Sequence, residues 1–168
     1  MGIRAFRIED LAALYAVQLK CPQAAQWRED DYLELSRDAN STVLLAEIEA
    51  TGFTAVAGYA VFYRTVDEAE LRNIAIDPSQ RRKGLARALL AAGFRALQDG
   101  GVRQLFLEVR SFNQSAISLY TSMEFHPLYT RHDYYHDPIE DALVMARDLA
   151  PAPAPPAHSE RDPEAGQG

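Results

Sequence analysis

Three consecutive cations, Arg81, Arg82 and Lys83, lead directly into Gly84 and then into a run whose apolar residues recur at helical spacing. The first N–H groups of a helix lack internal partners, and the helix dipole is positive there. A glycine at that point lets an anion approach the backbone without a Cβ in the way. The combination suits a pyrophosphate, although a solvated basic helix start would read the same. The strings G-x-x-x-x-G-K-[ST] and G-x-G-x-x-G are both missing from the segment, so it is neither a P-loop nor a dinucleotide fingerprint.

The second candidate is Glu108, in the run Gln104-Leu105-Phe106-Leu107-Glu108-Val109. Alternation along a strand puts Leu105, Leu107 and Val109 on one face, and Phe106 and Glu108 on the other. A carboxylate beside an aromatic near the end of a buried strand needs a task or a partner. Desolvation would raise its pKa toward the range of a general base. Pairing with a nearby cation such as Arg110 is the alternative. Tyr120 lies seven residues after Asn113, a good helix N-cap, and so about two turns along the same face. It is either a proton donor to a leaving group or a core tyrosine.

The elements that must position these residues alternate along the chain. Strands are expected at 3–8, 42–48, 56–63, 70–76, 103–109 and 142–147. Leu128 and Tyr129 are candidates for one more, before the last. Helices are expected from Glu9-Asp10 toward Pro22, and over 27–35, 84–98 and 113–123. In the third helix Leu85, Ala88, Leu89, Ala92 and Ala96 share a face, and Gly100-Gly101 breaks it. The order β-α-α-β-β-β-α-β-α-β-β implies a mixed α/β (α+β) sheet with helices on its faces, not a simple doubly wound fold.

The chain has 168 residues, enough for one ordinary core. The folded domain is expected over 1–149. The Pro/Ala-rich stretch at 150–168 cannot offset its ordering entropy and is expected to be a disordered tail. With 17 Lys and Arg against 24 Asp and Glu, the net charge is 17 − 24 = −7. That is a poor match to nucleic acid or an anionic membrane, and a better one to a cationic partner. No apolar run is long enough for a membrane span, and the N-terminus lacks an h-region. Cys21 is the single cysteine, so no intrachain disulfide can form. A cytoplasmic location is expected. His132, Asp133, His136 and Asp137 do not suggest a metal site, because Pro138 and the adjacent tyrosines oppose the helix that would converge them.

The string R-R-K-G-L-A at 81–86 resembles the acetyl-CoA signature Q/R-x-x-G-x-G/A of the GNAT acetyltransferase superfamily. The stretch Leu107 to Tyr120, the string R-H-D-Y-Y at 131–135 and the closing E-D-A-L-V-M resemble its ribosomal-protein-alanine (RimI-type) subfamily. The resemblance implies a GNAT-type mixed sheet of about seven strands flanked by about four helices, with acetyl-CoA as co-substrate. It implies that Ile74, Ala75 and Ile76 bind the pantetheine and acetyl part through their backbone. Arg81, Arg82, Lys83, Gly84, Leu85, Ala86 and Arg87 form the pyrophosphate segment, and Asn113 touches the cofactor. Glu108 becomes the general base and Tyr120 the general acid. The acceptor, a protein N-terminus, is expected between the first two helices and a loop at 129–138, with Trp27, Tyr134 and Tyr135 lining it. Small-molecule amines, lysine side chains and a non-catalytic acetyl-CoA sensor are the alternatives. One departure stands out: Glu124 occupies a turn where the family usually has glycine.

Overall fold

The computed structural model describes residues 1–149. The expected tail at 150–168 lies outside the described residues. Seven strands form one sheet: β1 (Gly2–Ala5), β2 (Ser41–Ala50), β3 (Phe53–Thr65), β4 (Glu68–Ile76), β5 (Gln104–Arg110), β6 (His126–His136) and β7 (Ile139–Asp148). Their spatial order is β1-β2-β3-β4-β5-β7-β6. Four helices flank it: α1 (Leu11–Leu19), α2 (Glu29–Arg37), α3 (Leu85–Asp99) and α4 (Gln114–Ser122). The mixed sheet and the element order match the expectation.

Two cores lie on opposite faces. On one, α3 buries Leu85, Leu89, Leu90, Phe94 and Leu97 against Phe62, Leu71, Leu105 and Leu107. The i, i+4, i+5, i+9, i+12 spacing of the helical residues is what makes that stripe continuous. Gly93 allows the close approach, since a Cβ there would lie 2.2 Å from Cζ of Phe62. On the other face Leu14, Val17, Cys21 and Tyr32 of the first two helices and their linker pack on Val43, Leu45, Tyr59, Val61 and Ala75.

Two expectations are corrected. Ile8 belongs to a 3-10 turn, Ile8–Asp10, rather than to the first strand. Residues 129–138 are not a loop: most of them form β6, an edge strand that pairs with β7 and turns at Asp137-Pro138. The alternation there is obscured by a bulge, with the pairs Arg131↔Ala142 and Tyr135↔Glu140 flanking three residues opposite Asp141. Asp141 holds the bulge by accepting from Asp133 N–H at 2.9 Å and contacting His132 Nδ1 at 3.1 Å.

Candidate active site

Among the described residues, the pairing of β4 with β5 is the only parallel one in the sheet, and it is short. It runs from Glu68↔Gln104 to Leu71↔Leu107 and stops. Beyond that the two strands part, β4 continuing to Ile76 and β5 to Arg110. The other edge of β4 stays bound to β3 through Gly58↔Ile76. Asp77 N–H donates to Ala57 O at 2.8 Å. Hydrogen-bonding direction alternates along a strand, so Ala75 turns its N–H toward β3 while Ile74 and Ile76 turn theirs into the gap. Of Ile74, Ala75 and Ile76, two therefore turn their N–H into the gap.

Glu108 is the first residue of β5 past the last pair. Val109 and Leu107 face the α3 core, which leaves Glu108 on the opposite face, as alternation required. Its partner is not Arg110. Arg131 Nε on β6 forms an ion pair with Glu108 Oε1 at 3.0 Å, and Arg110 pairs instead with Glu140 at 3.1 Å. The Glu108 carboxylate also acts on the Tyr134 phenol, pushing it up to about 12. Tyr134 meets Tyr135 edge to face at 5.2 Å, and the Arg110 guanidinium lies 4.1 Å from the centre of the Tyr135 ring. Glu108, Tyr134 and Tyr135 are therefore brought together.

Tyr120 is buried against Phe125, with ring centroids 5.7 Å apart. Burial raises its pKa, and Tyr135 is the charged-state neighbour that adds to the rise. Tyr135 in turn is raised first by burial and then by Glu108. Tyr120 packs in the α3 core, whereas Glu108 lies on the opposite face of the sheet.

The basic segment follows Ile76 through a short turn capped by Asp77, whose Oδ1 accepts from Ser79 N–H at 2.9 Å. Arg82 (φ 63) and Gly84 (φ 81) are both left-handed. Alternating left-handed residues turn successive N–H groups into one concavity that suits an anion. α3 then starts, adding its dipole. Exposed N–H groups at a basic helix start are the donor chemistry that a pyrophosphate needs. Side chains in the segment have separate roles. Leu85 is buried in the core and can offer only its N–H. Arg81 is turned back to Ile76 O at 3.3 Å. Arg87 reaches Ser122 Oγ at 2.7 Å and Lys83 reaches Gln80 Oε1 at 2.8 Å. Asn113 caps α4, its Oδ1 accepting from Ala116 N–H at 3.1 Å.

The model of the acetyltransferase (GNAT) family matches residues 8–125. The [ribosomal protein bS18]-alanine N-acetyltransferase of Escherichia coli K12 is 36% identical over 150 residues, covering 88% of this chain and 97% of that one. The same-named enzyme of Salmonella typhimurium is 34% identical over 143 residues, covering 84% and 93%. The crystal structure of the ribosomal-protein-S18-alanine N-acetyltransferase from Escherichia coli superposes with a TM-score of 0.75 at 33% identity, covering 91% of this chain and 96% of that chain.

The chain belongs to the GNAT acetyltransferase family. It is an N-acetyltransferase, and enzymes of this family use acetyl-CoA.

Two clefts open on the face of this GNAT domain that carries Glu108. One, of about 440 Å³, is lined by Glu108, Phe106, Arg131, Tyr129, Glu70 and Arg72. The other, of about 520 Å³, is lined by Trp27, Asp31, Glu34, Asp38, Tyr63 and Arg72. Tyr63 and Arg72 border both, with the Arg72 guanidinium stacked 3.8 Å from the Tyr63 ring centre. Trp27 therefore does not line the Glu108 cleft itself but the one adjoining it. Arg131, Tyr63 and Arg72 were missed as site residues. Nothing local marks them: Arg131 reaches Glu108 only through the β5-β7-β6 register. No helix among the described residues is long and apolar enough to cross a membrane.

Proposed function

We propose that this acetyltransferase acts on the α-amine of a protein N-terminus, of the ribosomal-protein-alanine type. The observation that carries the reading is the position of Glu108. It sits at the first unpaired step of the parting strands, beside backbone N–H groups of β4 that face the gap. The relatives matched over 93–97% of their length are alanine N-acetyltransferases of a ribosomal protein, which supports the acceptor class.

Acetyl-CoA, held at its pyrophosphate by the 81–87 backbone and at its acyl end by β4, would supply the thioester. The chain's own residues do the rest. Glu108 takes a proton from the incoming ammonium, because only the neutral amine is nucleophilic. Arg131 is half-exposed and can release the carboxylate as the amine arrives. The N–H groups of Ile74 and Ile76 face the region where negative charge develops on oxygen. Tyr120 is protonated at neutral pH, as any phenol is, and burial pushes its pKa higher still; it donates to the leaving sulfur. Tyr134 and Tyr135 on β6 close the acceptor side, and Trp27 lines the continuation of the groove.

The test is thiol release from acetyl-CoA with peptides bearing free Ala, Ser, Gly, Met or acidic N-termini, an N-blocked lysine peptide and spermidine. Mass spectrometry locates the acetyl group. The expected product is α-acetylated alanine peptide. Turnover confined to spermidine or the lysine peptide would overturn the acceptor assignment.

A further inference from the structure

The linker between α1 and α2 carries Trp27, yet it has no strand or helix to hold it. Three buried polar side chains from separate elements hold it instead. Gln18 on α1 is 1% exposed. Its Nε2 donates to Trp27 O at 2.7 Å, and its Oε1 accepts from Trp27 N–H at 3.3 Å. Asn73 on β4 is 5% exposed, and its Nδ2 donates to Ala25 O at 2.9 Å. The Tyr32 hydroxyl ties the two amides together, donating to Gln18 Oε1 at 2.5 Å and lying 3.4 Å from Asn73 Nδ2. The Tyr32 ring packs against Trp27, centroids 5.4 Å apart.

Asn73 stands at a particular place. A bulge at Arg72, between the pairs Phe62↔Leu71 and Val61↔Asn73, resets the strand alternation. Leu71 therefore faces the α3 core, while Asn73 and Ala75 face α1 and α2. The residue after it is Ile74, whose N–H faces the gap. Asn73 thus joins the acyl edge of β4 to the linker that lines the acceptor groove. Its bond to a carbonyl fixes the amide's orientation, since only Nδ2 can donate. Oδ1 is then buried with no partner among the described residues. The orphaned oxygen costs about 1–3 kcal/mol, which offsets the roughly 0.5–1.5 kcal/mol that the bond to Ala25 O contributes. Stability alone does not account for it.

We propose that Asn73 and Gln18 are acceptor-positioning residues: they clamp the 24–28 backbone so that Trp27 is held in the groove next to Glu108. The proposal rests on the reading of that groove as the acceptor site. The clamp acts on acceptor binding and leaves the 81–87 cradle untouched.

Trp27 is the single tryptophan of the chain, so its fluorescence reports on the linker directly. The variants are Asn73→Leu, which keeps the branched shape, and Gln18→Met, which keeps the unbranched length, both without the clamping bonds. The readouts are acrylamide quenching of Trp27, the two KM values and Tm. The acceptor is the alanine peptide, or whichever amine of the panel the wild type acetylates. Quenching is expected to rise about twofold, and the acceptor KM about five- to tenfold, the net worth of one hydrogen bond. The acetyl-CoA KM should stay within about twofold, and Tm checks that each variant remains folded although it leaves a backbone group of the linker without its partner. Unchanged quenching in both variants would overturn the clamp whatever the kinetics. Looser Trp27 with an unchanged acceptor KM, or equal rises in both KM values, would overturn its link to the acceptor. A wild type that ignores the whole panel contradicts the acceptor reading instead, and quenching alone then decides the clamp.

Discussion

Replacing Glu124 by glycine should stabilise the protein, even though it removes an ion pair. Glu124 follows α4 with φ 66, a left-handed conformation. A side chain there costs about 1–2 kcal/mol, because Cβ crowds the following carbonyl oxygen. Against this stands the contact of its carboxylate with Arg147 Nη2 at 2.8 Å. The Glu124 side chain is 79% exposed, so water competes for it and the pair is worth about 0–1 kcal/mol. Arg147 keeps its other contacts, to Met123 O and over the Phe94 ring at 4.4 Å. The balance favours glycine by about 1 kcal/mol, or about 2–4 °C in Tm for a domain of this size. Thermal unfolding of Glu124→Gly and Glu124→Ala separates the two contributions. Alanine keeps the strained conformation and loses the pair, so it should melt at or slightly below wild type. Acetyltransferase rates should be unchanged in both. A Glu124→Gly variant that melts below wild type would refute the reasoning, since the pair would then outweigh the strain.

Glu108→Gln keeps an oxygen for Arg131 and Tyr134, so Tm should hold. Loss of the base should lower kcat by about 10²–10⁴-fold; near-wild-type rates across pH 6–9 would remove Glu108 from the role. Tyr120→Phe preserves the ring packing on Phe125 and should lower kcat by about 10²-fold with little change in the acetyl-CoA KM. A kcat within about threefold of wild type would make Tyr120 a core residue only. Lys20 and Ser79 hold Asp77 down to about 2 from its ordinary 3.8. A depressed carboxylate stabilises the fold above its unfolded value and loses that contribution as pH falls through the folded one. Urea titrations between pH 4 and pH 2 should therefore show a shallower loss of stability for Lys20→Met than for wild type.

Local spacing was enough to give the sequence's element order, the helix stripe of α3 and the inward and outward faces of β5. These are properties of residues a few positions apart, where the helical and strand periods act directly. The anion cradle was legible for the same reason, since Arg82, Gly84 and the start of α3 are contiguous. Glu108 could be singled out because a carboxylate on a strand beside Phe106 is costly without a task or a partner. Its partner was not legible. Arg131 lies on a strand that meets β5 only through β7, so their meeting depends on two registers and a bulge opposite Asp141. That bulge also hid the part of β6 beyond Leu128 and Tyr129, by breaking the alternation that identifies a strand. The linker clamp is decided the same way. Gln18, Tyr32 and Asn73 converge from α1, α2 and β4, and the bulge at Arg72 turns Asn73 toward them. Sequence sets what each segment prefers, whereas strand register and bulges decide which distant side chains share a face. Only the folded sheet fixes those.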